Sequence, residues 1–165
     1  MTDSRGLLLH LVLHAARLLD ERVRVALRDV GAHHGQGRVL DALLAQGPLP
    51  LSRLAAGLHI AQPSATVMVQ RMEAAGLVER RAREGDARVV EVALTPRGRR
   101  AAHGVREAWQ AVEEELLAGV PRGRRRDLEE LLLAVRDHLG GHSPDFTSTE
   151  ETDDVLSSIT LRRHR

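Results

Sequence analysis

The sequence of 165 residues contains no cysteine and no tyrosine. Without cysteine the chain cannot form disulfides, a thiolate metal site or a cysteine nucleophile, so it is not a small secreted module held together by disulfides. Lysine and asparagine are also absent, and all 24 basic residues are arginine. A GC-rich coding bias explains this preference. It points to a high-GC bacterium and says nothing about mechanism.

No apolar run reaches the length that crosses a bilayer. The N-terminal stretch GLLLHLVLHAARLLDERVRVALRDV begins with leucines, but Asp3 and Arg5 precede it and two histidines interrupt it. Charged sequence then continues without a cleavage site, which is typical of an amphipathic helix and not of a signal peptide. We therefore expect a cytoplasmic protein that makes no membrane contact.

Hydrophobic residues make up 42% of the chain, enough for one domain with a buried core. The net charge of +1 does not indicate nucleic-acid binding, but the charge is unevenly distributed. Residues 62–100 contain eight Arg and five acids, a local charge of +3. Residues 140–165 contain three Arg and five acids, a local charge of −2. This last segment is also rich in turn residues, and we expect it to be a flexible acidic tail.

Apolar residues recur at helical spacing in six segments that glycine or proline separates. The first spans about residues 5–30, the second stops at QGPLP, and the short third is LSRLAAGL. The fourth runs from about Gln62 to Ala75 and is closed by Gly76. A hydroxyl N-cap followed by proline, Thr95-Pro96, starts the fifth helix. The sequence AGVPRGRRR separates it from the sixth, which ends near residue 139.

Residues 77–98, LVERRAREGDARVVEVALTPRG, predict a β-hairpin with a charged tip. Val90, Val92 and Leu94 alternate with their neighbours as a strand requires. Only two strands are recognisable in the sequence. We therefore expect a mainly α fold to which a two-stranded ribbon is attached.

Two short helices, a tight turn between them and a charged ribbon after them are the layout of a winged helix-turn-helix. In the second helix one face is predicted to pack inward; it consists of Ala65, Met68, Val69, Met72 and Gly76. The helix start and the opposite face carry groups that suit a DNA major groove: Gln62, Pro63, Ser64, Thr66, Val67, Gln70 and Arg71.

The tip of the ribbon suits a DNA minor groove, because a narrow groove concentrates negative potential and attracts arginine. The candidate residues are Arg83, Asp86 and Arg88, with Asp86 expected to hold Arg88 extended through a charge-assisted bond. The role of Arg71 stays open between a phosphate contact and an ion pair that orients its helix. Trp109 is more typical of packing than of ligand stacking.

The stretch PLPLSRLAAGLHIAQPSATVMVQRMEAAGLVERRAREGDARVVEVALTPRG resembles the winged-helix core of the MarR family, the multiple-antibiotic-resistance regulators. Its most specific marks are the Asp86-Ala87-Arg88 motif of the hairpin and Leu94-Thr95 with Gly98 after it. The resemblance covers about residues 5–139 and implies a single domain over 1–139. Within it, the DNA-binding lobe spans about 36–95, and the dimerisation helices span about 5–30 and 96–139.

The resemblance implies a homodimer whose first, fifth and sixth helices interleave across the two-fold axis. It also implies a pseudo-palindromic DNA operator with half-sites about 34 Å apart. Members of the family are usually repressors that a small anionic or phenolic effector releases. His10, His14 and Arg17 are the candidate effector residues, because the family's effector pocket opens at the first helix.

Three positions depart from the family pattern. Ala61 stands where Ser or Thr usually caps the recognition helix, so Ser64 is expected to act as the cap of a helix with a shifted start. Val67 replaces a common arginine, and Pro50 replaces a usual threonine. Ala61 and Val67 support an alternative function, a helical protein-interaction dimer in which the winged helix is degenerate.

The nine histidines raise a second alternative, a metal-responsive regulator. His10 and His14 are four residues apart on one helix face, a spacing that can bind zinc, and His33-His34 follow that helix. The fifth helix offers only His103, so structural histidines are the simpler interpretation and no metal site or cofactor is expected. The sequence also lacks a nucleophile elbow, a phosphate loop and a metalloenzyme motif, so we expect no catalytic residues and no enzyme.

Overall fold

The computed structural model describes residues 7–83 and 85–141. The chain is mainly α-helical, as predicted. The helices are α1 Leu8–Ala26, α2 His34–Gln46, α3 Leu51–Gly57, α4 Gln62–Ala74, α5 Pro96–Ala118 and α6 Arg125–His138, with a 3₁₀ turn at Arg122–Arg124 before α6. The strands are β1 Leu49–Pro50, β2 Val78–Arg83 and β3 Asp86–Leu94. The predicted tail from residue 142 onward lies outside the described residues.

The predicted two-stranded wing is confirmed as the hairpin of β2 and β3. The sheet also has a third strand, β1, which the sequence did not reveal. β1 pairs antiparallel with β3, with Leu49 opposite Val92 and Pro50 opposite Glu91. Two residues are too few to show an alternating pattern, which is why the sequence did not reveal this strand. The order β1-β3-β2 makes β1 an edge strand, which is where a sheet tolerates proline.

We call residues 34–95 the lobe. The apolar faces of its helices α2, α3 and α4 pack on the sheet and on α5, and the core so formed also includes Leu27, Ala102 and Val105. Its central side chains are fully buried: Leu40, Leu54, Val69, Met72, Val78 and Val92. Packing between α2 and α5 is close, because a Cβ added to Gly37 would lie 3.2 Å from Cζ2 of Trp109. Trp109 therefore packs against α2.

The junction between β3 and α5 is made by Thr95 and Gly98. Thr95 is the N-cap that the sequence predicted: its hydroxyl accepts the Gly98 N–H at 2.9 Å and donates to the carbonyl of Gly76 at 2.6 Å. A Cβ added to Gly98 would lie 1.7 Å from the carbonyl oxygen of Leu77. Only glycine fits this approach, so the two residues fix the direction in which α5 leaves the lobe.

Helices α1 and α6 differ from the lobe because neither contains a buried residue. Leu27, directly after α1, is fully buried and anchors the end of that helix. Ten exposed apolar side chains make up what we call the open apolar surface: Leu8, Leu9, Leu11, Val12, Leu13 and Leu18 on α1, Leu131, Leu132 and Val135 on α6, and Leu139 directly after α6. Within residues 7–83 and 85–141, no helix is both long and apolar enough to span a bilayer.

Candidate nucleic-acid interface

Helix α4 lies with one face in the core of the lobe. Ala65, Val69 and Met72 are buried and Met68 is half-buried, as the helical spacing predicted. Gly76, which the same spacing assigned to this face, lies instead beyond the helix end, where it is exposed with a φ of +67°. A positive φ suits glycine, so Gly76 reverses the chain between α4 and β2.

The opposite face of α4 is open. Six of the seven residues predicted to contact DNA are exposed: Gln62, Pro63, Ser64, Val67, Gln70 and Arg71. The seventh, Thr66, is half-buried, and its hydroxyl donates to the backbone carbonyl of Gln62 at 2.9 Å. The hydroxyl proton of Thr66 is therefore used inside the helix. Arg71 makes no ion pair with any residue from 7–83 or 85–141, which favours the phosphate-contact interpretation over the orienting ion pair.

The start of α4 has no side-chain cap. The N-cap residue is Ala61, and no side chain bonds to the first N–H groups of the helix. The expected shift of the start, with Ser64 as cap, was wrong. The helix starts at Gln62 with Pro63 in its first turn, where the fixed φ of proline favours helix initiation without a polar cap. The exposed N–H groups of this turn remain available to an external acceptor such as a phosphate.

The two predicted wing arginines on the hairpin of β2 and β3 differ in their ion pairing. Arg83 is engaged, because its Nε lies 2.6 Å from Oε1 of Glu91 on the facing strand. The guanidinium of Arg88 is exposed and has no ion-pair partner in the described part of the chain. The two arginines are therefore not equivalent, and Arg88 is the one available to an external anion.

Asp86 holds Arg88 by a different bond from the one predicted. The Oδ1 of Asp86 accepts the backbone N–H of Arg88 at 3.1 Å, so it does not use the guanidinium. Such a bond from an aspartate to the N–H two residues later is a local turn geometry. It fixes the backbone of the tip beside Gly85, whose φ is +86°, and leaves the charge of Arg88 unneutralised.

A groove of about 550 Å³ separates the start of α2 from α4 and widens this surface. Ser64, Val67 and Arg71 line one side, and His33 and Gln36 line the other. His33 and Gln36 form a reciprocal capping box, in which Oε1 of Gln36 accepts the His33 N–H at 3.1 Å. The sequence indicated His33 only as a candidate metal ligand, and this cap was not predicted because histidine is not a usual capping-box residue.

The predicted effector residues do not line the cavity that the structure shows beside α1. His10, His14 and Arg17 are exposed on the first half of α1. A cavity of about 840 Å³ opens instead between the second half of α1, α2 and α5. It is lined by apolar and charged groups that include Val23, His34, Arg38, Asp41, Arg106 and Trp109. The roles assigned to His10, His14 and Arg17 stay predictions.

The two arginines that line this cavity differ in their ion pairing. Nη2 of Arg106 lies 2.7 Å from Oδ1 of Asp41, which neutralises that pair. Arg38 has no such partner among the described residues, so its charge is available to a ligand. The ring of His34 meets Trp109 edge-to-face at a centroid distance of 6.3 Å. Within residues 7–83 and 85–141, no group of three or more His, Cys, Asp or Glu is arranged to hold a metal ion.

The part of the chain that carries this surface is similar to known proteins. A model of the MarR family matches residues 33–90, which include α2, the helix-turn-helix and most of the hairpin. The uncharacterized HTH-type transcriptional regulator YwoH of Bacillus subtilis (strain 168) is 31% identical over 111 residues. That alignment covers 67% of this chain and 80% of YwoH.

Two solved structures share the fold. A variant of MarR from E. coli complexed with operator DNA has a TM-score of 0.68 at 24% identity, covering 76% of this chain and 91% of that one. BpsR from Bordetella bronchiseptica, whose DNA binding is regulated by 6-hydroxynicotinic acid, has a TM-score of 0.70 at 23% identity. The second alignment covers 83% of this chain and 97% of BpsR.

Proposed function

This chain belongs to the MarR family of transcriptional regulators, and from that premise we propose that it is a homodimeric repressor of a pseudo-palindromic operator, released by a small-molecule effector. The observation that carries the proposal is the division of α4 into a core face and an open face. Short polar groups and one arginine occupy the open face, and the wing with Arg88 lies in the same lobe. The E. coli MarR variant that shares this fold is complexed with operator DNA, which supports the assignment.

In the proposed complex, α4 enters a major groove and the hairpin tip enters the neighbouring minor groove. Gln62 and Ser64 lie at the first turn of α4, where side chains of a recognition helix meet base edges. Arg71 lies two turns later, within reach of a phosphate. Because Arg83 is held by Glu91, the proposal assigns the minor-groove contact to Arg88.

The proposed homodimer explains the open apolar surface. Leu131 of α6 and Leu139 directly after it are 65% and 78% exposed, although leucines at helical spacing normally lie in a core. A second copy of the chain, with the same surface related by a two-fold axis, would cover both patches at once. The dimer would also set the two α4 helices at a fixed spacing. Light scattering at micromolar concentration checks this step, and a monomer would contradict it.

The proposed effector site is the cavity between α1, α2 and α5. Trp109 offers an aromatic wall and Arg38 a charge without an ion-pair partner in the described part of the chain, so an aromatic acid is the chemical class that fits. A ligand here would contact α5, which continues from the lobe, and α1, which carries the open apolar surface. It could therefore change the angle between the lobe and the dimer helices. BpsR, which shares the fold, is regulated by an aromatic acid.

Operator binding is tested by selecting bound sequences from random duplex DNA. The purified chain should enrich one pseudo-palindrome, which then serves as a probe in fluorescence anisotropy. Arg88→Ala should weaken binding about tenfold across sequences and should lower the slope of log affinity against log salt by about one. Arg83→Ala is the matched control, with a smaller expected loss because Glu91 already neutralises that side chain.

Equal losses for the two variants would contradict the assignment of the wing contact. Failure to enrich any sequence would contradict the function itself and would favour the alternative, a protein-interaction dimer with a degenerate winged helix. Gln62→Ala provides a further check, because a base-contacting residue should change the selected sequence. A uniform loss of affinity would place Gln62 among the phosphate contacts instead.

Effector binding can be followed through Trp109, the only tryptophan in the chain. Benzoate, 6-hydroxynicotinate and phenol are suitable probes, and quenching of the Trp109 fluorescence should accompany binding. Arg38→Ala should weaken the two carboxylates and leave phenol unchanged, because only the carboxylates need the guanidinium. Arg17→Ala tests the rival site on α1: if it weakens the acids and Arg38→Ala does not, the effector binds there.

A further inference from the structure

Val67 is an exception among the apolar side chains of the lobe. In the described part of residues 34–95, only two large hydrophobic side chains are largely exposed, Val67 at 46% and Val90 at 54%. All others are at least partly covered by the core. Val90 lies on the hairpin, whereas Val67 lies in the middle of the open face of α4. The exposed part of the Val67 side chain makes no apolar contact in the free protein, so it is available for one with a partner.

The neighbours of Val67 place it at the centre of the surface proposed to enter the major groove. Ser64 precedes it by three residues and Arg71 follows it by four, so the three side chains form one stripe along the helix. All three line the groove between α4 and the start of α2. Polar groups thus occupy both ends of the stripe, and the apolar group occupies its middle.

Val67 is also rigid, and the hydroxyl of the residue before it, Thr66, is already engaged within the helix. A β-branched side chain in a helix has one strongly preferred χ1 rotamer, so the two methyl groups of Val67 have a fixed direction. The hydroxyl of Thr66 donates to the carbonyl of Gln62 and is not free to donate to a base. The middle of α4 therefore presents a fixed apolar point to the DNA.

The major groove offers one apolar feature, the C5-methyl group of thymine. Val67 would be dehydrated over any base edge, but only thymine returns an apolar contact for the water that is lost. We infer that Val67 recognises the C5-methyl of one thymine in each half-site and so determines specificity at that base pair. This inference rests on the proposed function, since it needs α4 to lie in a major groove.

The test removes one methyl group from the DNA and leaves every hydrogen-bonding group in place. In the selected operator, each thymine is replaced in turn by deoxyuridine, and the affinity is measured by anisotropy. For the native chain, one thymine position in each half-site should be sensitive. Each single replacement at such a position should weaken binding roughly fourfold, which is the value for one buried methyl group. Val67→Ala should bind the thymine operator less tightly and should show no further loss with deoxyuridine at that position.

Val25→Ala is the matched control, because Val25 is 47% exposed and lies on α1, outside the lobe. It should keep the full deoxyuridine effect. Val67→Thr retains the shape and one methyl group and should give an intermediate effect. Alanine is a good helix former at an exposed position, so Val67→Ala should fold, and its melting curve checks this. An operator with cytosine at the sensitive position should regain affinity when that cytosine is 5-methylated.

Two outcomes would overturn the inference and leave operator binding intact. In the first, no deoxyuridine substitution affects the native chain. In the second, Val67→Ala shows the same sensitivity as the native chain. If the native chain selects no operator, the proposed function fails instead, so the two failures are distinguishable.

Discussion

The lobe of residues 34–95 and the helices α1 and α6 bury their apolar residues in different ways. In the lobe, Leu40 and Met72 are completely buried within one chain. In α6, Leu131 and Leu132 are 65% and 57% exposed. The lobe therefore packs into a core within one chain, together with Leu27 and α5, whereas α1 and α6 leave their apolar residues exposed. Folding of the lobe and assembly of the terminal helices should respond to different substitutions.

Helix α5 belongs to both regions, and the junction at Thr95 and Gly98 fixes how they are joined. Gly37 and Trp109 bring α2 and α5 into close contact, while α1 packs against another part of α5. A change at the junction should therefore affect both regions. A change on the open apolar surface should affect assembly alone.

The largest effect is expected for Gly98→Ala. The added Cβ would lie 1.7 Å from the carbonyl oxygen of Leu77, a backbone atom that no side-chain rotation can remove. The chain must shift at the junction, and the free energy of unfolding should fall by about 3 kcal/mol or more. Urea denaturation, followed by circular dichroism, measures the loss.

Gly123→Ala is the control for that substitution. No atom lies within 4 Å of the position of its Cβ, and alanine has the higher helix propensity, so stability should stay the same or rise slightly. If both variants lose the same stability, the close approach at Gly98 is not what joins the lobe to α5.

The second effect concerns the open apolar surface. Leu131→Asp places a charge in a surface that the proposed dimer would bury, so the dissociation constant of the dimer should rise by at least about a hundredfold. Sedimentation at several concentrations measures it. The unfolding of the lobe core should change much less, because Leu131 is 65% exposed in the single chain.

Leu133→Asp is a matched control on the same helix. Leu133 is 41% exposed, and it lies two residues from Leu131, on the other side of α6. It should leave the dimer nearly unchanged. Equal disruption by the two variants would show that the interface surrounds α6 and does not use one stripe.

The sequence predicted the features that depend on local chemistry. The inward face of α4 followed from the spacing of Ala65, Val69 and Met72, and the start of α5 followed from the hydroxyl of Thr95. Both patterns are contained within a few neighbouring residues, so no knowledge of the rest of the fold is needed. The same holds for the exposed arginines of the hairpin.

The sequence did not predict features that depend on distant partners. β1 has two residues and exists only because Leu49 pairs with Val92. The cavity beside Trp109 combines side chains from three helices, and no spacing along the chain brings Arg38 and Trp109 together. At the hairpin tip, both an aspartate-guanidinium bond and an aspartate-backbone bond fit the letters Asp-Ala-Arg. Only the folded structure distinguishes the two bonds.

The third effect is the loss of the cap at the junction. Thr95→Ala removes an acceptor for the Gly98 N–H and a donor to the carbonyl of Gly76. Loss of such a cap costs about 1 kcal/mol, and up to about 2 kcal/mol in proteins. Thr95→Ser keeps the hydroxyl and should retain most of the stability. A serine variant as unstable as the alanine variant would assign the effect to the methyl group.

The smallest effect tests whether the polar face of α1 stays in water when the dimer forms. The guanidinium of Arg24 bonds the carboxylate of Glu21 and lowers the pKa of Glu21 below its ordinary value. A lowered carboxyl pKa stabilises the fold above the unfolded-state pKa, and this contribution is lost as the pH falls through the folded-state value. Both groups are fully exposed in the single chain, so salt should weaken the contribution.

Carboxyl-detected NMR of the dimer measures this pKa, and Arg24→Gln should return it towards the ordinary value. Burial disfavours the charged carboxylate, so an interface that covered this face would raise the pKa instead. If the pKa of Glu21 is lowered at low salt and less lowered at high salt, the interface is confined to the open apolar surface. A raised pKa of Glu21 would show that the interface also covers the polar face of α1. The region that depends on a partner would then be larger than the open apolar surface.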